Sequence, residues 1–231
     1  MGLAVAQSIT AADDLRLASV WVRDAHAKSR FEGQDEVLVS RDIDAVVRAA
    51  DVLIDFSLPE ATAAVLGAAV RHERPLVCGV SGLSSEQQGL LDRAADSIAI
   101  VYDRNMSLGI AVLDAIVRRA ASALGGEFRV EIHETHHVHK LDAPSGTALK
   151  LGEGVAAARG TDADAIDYKV ERRGEVPGEH AVVFTSASEQ LRLQHSVTTR
   201  QVFADGALRA ARWVRDQPPG RYSMREVLAV D

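Results

Sequence analysis

Short apolar runs alternate with helical stripes through the first half of the chain. Leu15–Val22 and Val52–Phe56 read as strands, and Leu76–Cys78 and Ile98–Val101 are continuous enough to be buried on both faces. Helix-start signals lie between them. Ser57 is placed to cap a helix whose Pro59 and Glu60 suit a first turn. Ser84, with Gln87 three residues on, forms a capping box for a helix through Ala95. Strand and helix alternating at this spacing predict an α/β domain with a doubly wound parallel sheet, its ligand sites at the carboxyl ends of the strands. The chain itself opens on an amphipathic helix, Leu3–Ile9, where such a sheet ordinarily begins with a strand and a glycine-rich turn.

The pattern changes after Asn105. Leu108–Leu124 is a long amphipathic helix with Gly125 and Gly126 as its stop. A strand over Glu127–Glu134 follows, then a polar segment leading to Gly146, where another helix opens and runs to about Ala157. Strands at Val182–Phe184 and Leu191–Val197 flank a turn at Ser186–Ser188. This half reads as a smaller α+β domain with a mixed or antiparallel sheet. Phe203–Arg215 is helical and is expected to return to the first domain, with Ser223–Leu228 as a last short turn. The expected division is 1–106 with 205–231 for one domain and 107–204 for the other.

Composition narrows the function. The 231 residues carry 26 basic and 33 acidic side chains, a net charge of −7, which argues against a general nucleic-acid binder. Cys78 is the lone cysteine, so an internal disulfide and a thiolate metal cluster are both excluded. No apolar stretch has the length of a membrane span and no signal peptide is visible, so a cytoplasmic protein is expected.

Candidate chemistry concentrates between His133 and Thr147. Four of the eight histidines, His133, His136, His137 and His139, fall within seven residues. Three readings are open. Neutral imidazoles ligate metals, and in an extended segment His137 and His139 would share a face, although no carboxylate-flanked i, i+4 pair is present. Solvated surface histidines are the second. Acid–base catalysis is the third, with Lys140 as a fixed positive charge. Ser145, Gly146 and Thr147 then open a helix, either as an ordinary cap or as an anion cradle of N–H groups and hydroxyls. A proton donor, a cation and a cradle within a dozen residues describe a pocket for a small carboxylate.

The stretch His136–Ala148, His-His-Val-His-Lys-Leu-Asp-Ala-Pro-Ser-Gly-Thr-Ala, closely resembles the signature of the dihydrodipicolinate reductase family. Other blocks match in order: Asp55–Glu60, Gly79–Gly82, Asn105–Gly109, Gly174–His180 and Phe203–Ala207, so that the resemblance covers essentially the whole chain. It implies a Rossmann-like domain joined to a substrate-binding and oligomerisation domain. The implied activity is NADH- or NADPH-dependent reduction of hydroxy-tetrahydrodipicolinate to tetrahydrodipicolinate, in lysine and diaminopimelate synthesis, by a homotetramer. By the same match His136 is the general acid and Lys140 stabilises developing negative charge, while His137, Ser145, Gly146 and Thr147 hold the dicarboxylate and His139 gives support on the substrate side. Gly2, Phe56, Ser57, Gly79, Ser81 and Gly82 belong to the cofactor side, with Asp103, Arg104, Asn105 and Met106 near the carboxamide. No metal is implied.

Three departures qualify the match. Met1-Gly2 looks like only the end of the family's Gly-x-x-Gly-Arg-Met-Gly turn, so the first strand and most of the pyrophosphate loop are expected to be missing. A start assigned at an internal Met is the favoured expectation; a cofactor-dead scaffold keeping the small-acid pocket is the alternative. Where the family places an acidic residue after the second strand, this chain has Val22 and then Arg23, which suits a phosphate and NADPH, or is a solvated strand end. The stretch from Ile166 to Gly174 is shorter than in many members, which is expected to alter subunit contacts.

Overall fold

The computed structural model describes residues 1–23, 31, 36–163 and 166–230. The chain divides into two compact units: Met1–Asp103 with Phe203–Val227, and Arg104–Val202 with the last residues from Leu228.

In the first unit α1 (Gly2–Thr10) leads to β1 (Ser19–Trp21), β2 (Leu38–Ser40), α2 (Ile43–Arg48) and β3 (Leu53–Asp55). It continues with α3 (Thr62–Arg71), β4 (Leu76–Cys78), α4 (Ser85–Ala95) and β5 (Ala99–Tyr102). Every residue of β4 and β5 is buried, as expected of strands with helices on both faces. Leu66, Leu76, Leu91 and Ile100 lie at the centre of that core. Ser84 and Gln87 form the expected capping box: the Gln87 amide donates to Ser84 Oγ at 3.3 Å, and the Ser84 amide to Gln87 Oε1 at 2.9 Å.

Ser57 does not cap a helix. The Asp55 carboxylate takes the Ser57 N–H at 2.8 Å in an Asx turn, so the chain enters a 3-10 turn at Pro59–Ala61 capped by Leu58, and α3 begins only at Thr62.

The second unit contains α5 (Leu108–Leu124), β6 (Arg129–His136), α6 (Gly146–Arg159), β7 (Asp167–Arg172), β8 (Glu179–Thr185) and β9 (Gln190–Ser196). Its sheet has the order β7-β6-β8-β9, parallel between β6 and β7 and antiparallel elsewhere. Ile110, Val117, Leu151 and Val155 of the two helices pack on Ile132, Val182 and Phe184 of the sheet. A Cβ at Gly154 would stand 2.8 Å from Asp114 Oδ1, so a residue without a side chain is what lets α6 approach α5 there. The chain then returns to the first unit through α7 (Gln201–Val214), β10 (Gly220–Tyr222) and α8 (Met224–Leu228).

The parallel strands of the first unit form two ladders, β1-β2 and β10-β5-β4-β3. Among strands not foreseen, β2 and β10 have three residues each, too few for a periodic pattern. In β7 Lys169, Glu171 and Arg172 mask the alternation of Tyr168 and Val170.

Candidate functional site

Two groups of side chains stand out, one in each unit. In the first unit the parallel register pairs Asp55 with Cys78 and Cys78 with Tyr102. Phe56, Gly79 and Asp103 therefore emerge side by side, one residue beyond the carboxyl ends of three adjacent strands. The ladder runs on through the Gly79 amide, which donates to the Asp55 carbonyl at 2.8 Å. The Phe56 ring lies so close to Gly79 that a Cβ there would be 2.4 Å from Cε1. Ser81 and Gly82 are exposed beyond this edge, and Gly82 has a φ of 75°, which favours glycine. Asp103 is buried and accepts from the Met224 amide at 3.3 Å. Burial raises the Asp55 carboxyl above its usual range, against the hydrogen bond from Ser57. Gly2 begins α1, and Arg23 is exposed just past β1.

In the second unit the period of two along β6 extends the apolar face into chemistry. Val130 and Ile132 enter the core; Glu134 and His136 follow on the same face at the strand's carboxyl end, and both are buried. Register places His180 of β8 opposite Glu134, and Arg172 of β7 opposite His136. Glu134 is the hub. Its oxygens accept the Ser145 amide at 3.1 and 3.2 Å, and Oε1 accepts Arg172 Nη2 at 3.2 Å. His136 Nδ1 lies 3.3 Å from Oε2, within ion-pair reach but off line for a good hydrogen bond. Burial opposes the Glu134 charge, but His136, the Ser145 amide and Arg172 together outweigh it and bring the carboxyl down to about 2.

The His136 ring meets His180 edge-on at 4.9 Å. Burial, reinforced by the neighbouring His136, pushes His180 down to about 3, so it stands neutral, with Nε2 3.2 Å from Ser145 Oγ. Glu134 occupies the Nδ1 side of His136, and Gly178 lies on the Nε2 side. Gly178 keeps space there, since a Cβ at that position would sit 3.2 Å from Nε2.

The histidine cluster does not form one extended face. Beyond His136 the chain turns, the His137 and His139 rings are 6.1 Å apart and tilted, and His139 is exposed beside Glu175 at 3.4 Å. The metal reading of that pair loses its geometry. Glu134, His136 and His180 have donor atoms within 4.8 Å of one another. Since Ser145 and Arg172 already occupy the carboxylate, this trio is a closed network rather than an open ligand set.

Lys140 Nζ pairs with Asp142 at 2.7 Å; burial would raise the Asp142 carboxyl, but Lys140 lowers it. Arg200 donates to His137 Nε2 at 3.2 Å. Burial, followed by the Arg200 charge, lowers the His137 pKa.

Of the two openings left for the 145–147 turn, Ser145 takes the cap. Its Oγ accepts the Ala148 amide at 3.2 Å, and its own N–H goes to Glu134. The Thr147 hydroxyl accepts from Asn105 Nδ2 at 3.0 Å, and Met106 is buried nearby in sequence. Gly146 and Thr147 belong to the first turn of α6, whose N–H groups have no acceptor within the helix. Sequence reasoning gave no role to Glu134, Arg172, Gly178 or His180. Counting back two residues from His136 along a strand reaches Glu134, whereas Arg172 depends on a pairing across 36 positions.

The dihydrodipicolinate reductase N-terminus family model matches residues 1–106, and the C-terminus model of the same family matches 109–228. The chain belongs to the dihydrodipicolinate reductase family. Its relatives include a 4-hydroxy-tetrahydrodipicolinate reductase of Halorhodospira halophila, 42% identical over 86% of this chain and 81% of that protein. Another, from Sulfurimonas denitrificans, is 38% identical over 100% of this chain and 95% of its own length. A dipicolinate-bound dihydrodipicolinate reductase from Paenisporosarcina sp. TG-14 shares the fold, with a TM-score of 0.80 at 20% identity over 97% and 94% of the two chains. In this family member the matched C-terminal region contains the whole Glu134–His136–Arg172–His180 network.

Proposed function

We propose that the chain reduces 4-hydroxy-tetrahydrodipicolinate to tetrahydrodipicolinate with NADPH or NADH. The observation that carries this is the buried carboxylate of Glu134 on the Nδ1 side of His136, with Gly178 clearing space at the opposite ring nitrogen. Addition of one hydride and one proton, with loss of the hydroxyl as water, balances the conversion.

A reduced nicotinamide, when bound, supplies the hydride. The first unit has features that fit such a group: the flat Phe56 ring, a Gly79 where a Cβ would run into that ring, and half-buried Ser57 with exposed Ser81 and Gly82 at strand carboxyl ends. Gly2 at the start of α1, with Asp103, Asn105 and Met106, completes the proposed cofactor set. We assign cofactor binding to 1–106 with 205–231, and substrate binding and assembly to 107–204.

In the second unit His136 gives its proton to the substrate, and Glu134 stabilises the imidazolium that exists before transfer. Lys140 exchanges Asp142 for a substrate carboxylate or the developing negative charge. His137 and the N–H groups of Gly146 and Thr147 hold the other carboxylate, helped by the α6 dipole. Ser145 acts by shaping that turn.

Preference for NADPH is the finer proposal. Val22 is buried with its N–H given to Ser40, and the neighbouring exposed side chain, Arg23, is a cation suited to a 2′-phosphate. The open sheet face bearing Glu131, Lys169 and Arg192 supports assembly into a homotetramer through the second unit, and a cytoplasmic setting accords with this reading. Among the described residues no helix is long and apolar enough to cross a membrane.

The test is substrate-dependent loss of reduced-nicotinamide absorbance, with NADPH and NADH affinities measured separately. Turnover is the expected result. Binding of pyridine-2,6-dicarboxylate without turnover would instead leave a scaffold that keeps only the acid pocket.

A further inference from the structure

We infer that Arg172 is a positioning residue that ties the buried Glu134–His136 pair to the turn carrying Lys140, an inference that rests on reading those two side chains as the reacting pair. One guanidinium plane spans both features. Nη2 donates to Glu134 Oε1 at 3.2 Å and also to the Asp142 carbonyl, Nε donates to the Lys140 carbonyl at 3.2 Å, and Nη1 to the Glu171 carbonyl at 2.9 Å. The strand register fixes its origin, since Arg172 is the β7 partner of His136.

Among the described residues, few other backbone hydrogen bonds hold this turn. Leu141, between the two clasped carbonyls, is 96% exposed, so apolar burial does not anchor this segment. Those backbone bonds among the described residues are the Val138 amide to the Gly174 carbonyl and the Lys140 amide to the His137 carbonyl, both 3.1 Å. A lysine at 172 could answer the Glu134 charge, but one ammonium lacks the rigid fork that reaches two carbonyls and a carboxylate together. Arg172 therefore has two separable tasks: balancing the buried carboxylate and fixing where the Lys140 ammonium stands.

Among the described residues, the charged and titratable groups around His136 are Glu134 from its own strand, Arg172 from β7, His180 from β8, and His137, Lys140 and Asp142 from the following turn; the α6 neighbour, Ser145, is neutral. Removing the Arg172 cation takes a positive charge from beside His136 and leaves Glu134 with the neutral Ser145 amide and His136, which favours the protonated imidazole. A general acid works in its protonated form, so activity is lost as pH rises through its pKa. The Arg172→Gln variant should carry that limb to higher pH.

The experiment compares wild type, Arg172→Gln and Arg172→Lys. It reads the Cε1–H titration of His136 by NMR without cofactor, the affinity for pyridine-2,6-dicarboxylate, and kcat and KM. Arg172→Gln should titrate His136 at higher pH and bind the dicarboxylate at least tenfold more weakly. Arg172→Lys should keep the wild-type titration while KM still rises about tenfold. If both variants match wild type in titration and affinity, or if Lys restores everything, the positioning role is overturned. Should Arg172→Gln fail to fold, an unchanged KM in Arg172→Lys overturns it alone. Full turnover in a His136→Gln enzyme would defeat the underlying reading instead, and the NMR titration keeps the two failures apart.

Discussion

The candidate edge in the first unit and the network in the second are built on opposite plans. Along the first, parallel strands end in register and present backbone, small residues and one aromatic ring: Phe56, Ser57, Gly79, Ser81 and Gly82. In the second, strands running in both directions bring ionisable side chains from distant positions into a buried cluster, with Glu134 facing His180 and His136 facing Arg172. The difference is physical. Accommodating a flat ligand requires room and fixed dipoles, which sheet ends and glycines supply. Holding a proton on a chosen nitrogen requires charges kept from water and balanced against one another, which demands pairing partners.

Replacing the proposed proton donor gives the sharpest contrast. A His136→Gln enzyme should lose about 10²–10⁴ in kcat, the usual scale of general acid catalysis, while nucleotide affinity stays within a few fold. Comparable loss of both would mean that the two regions do not divide the work as described.

Next in size is Glu134→Gln, which leaves the Arg172 guanidinium without its countercharge. Breaking such a buried pair costs about 3 kcal/mol, or a fall in melting temperature of roughly 10 °C. Calorimetry showing an unchanged transition would remove Glu134 as the hub.

On the other side of the comparison, Gly79→Ala drives a Cβ into the Phe56 ring. Overpacking of this kind costs about 1–3 kcal/mol. It should weaken nucleotide binding and leave dicarboxylate binding intact, and equal damage to both would contradict the separation.

The smallest effect concerns acid. His180 is pushed down to about 3 from an ordinary value of 6.5, so the unfolded chain takes a proton that the folded protein refuses. Stability is complete above about pH 6.5 and falls as pH drops towards 3. Between pH 7 and 5.5 the loss should be about 1 kcal/mol, smaller in His180→Asn. The Glu134 contribution fades lower, between its ordinary 4.5 and about 2. Denaturation midpoints measured across this range separate the two windows.

The sequence made the first region legible because its signals are local. Continuous apolar runs gave β4 and β5, and Ser84 with Gln87 gave the start of α4. The Ser57 cap failed because Asp55, two residues earlier, captured its amide, a competition between neighbours that counting does not resolve. In the second region the His136–Thr147 block was visible as a motif, but its electrostatics were not. Arg172 lies on a strand whose charged residues hide its alternation, and Glu134 figured only as the last residue of an expected strand. At 145–147 the cap reading holds: Ser145 caps α6, and Gly146 and Thr147 stand in the first turn of that helix.

The most direct measurement follows the histidine Cε1–H signals by NMR as pyridine-2,6-dicarboxylate is added. The account predicts saturable shifts at His136 and His137 with none at His72, whose ring is paired with Asp44 far along the sequence from the β6–α6 corner. Shifts confined to His72 and the exposed His139, or a spectrum in which His136 never moves, would contradict a dicarboxylate site at that corner.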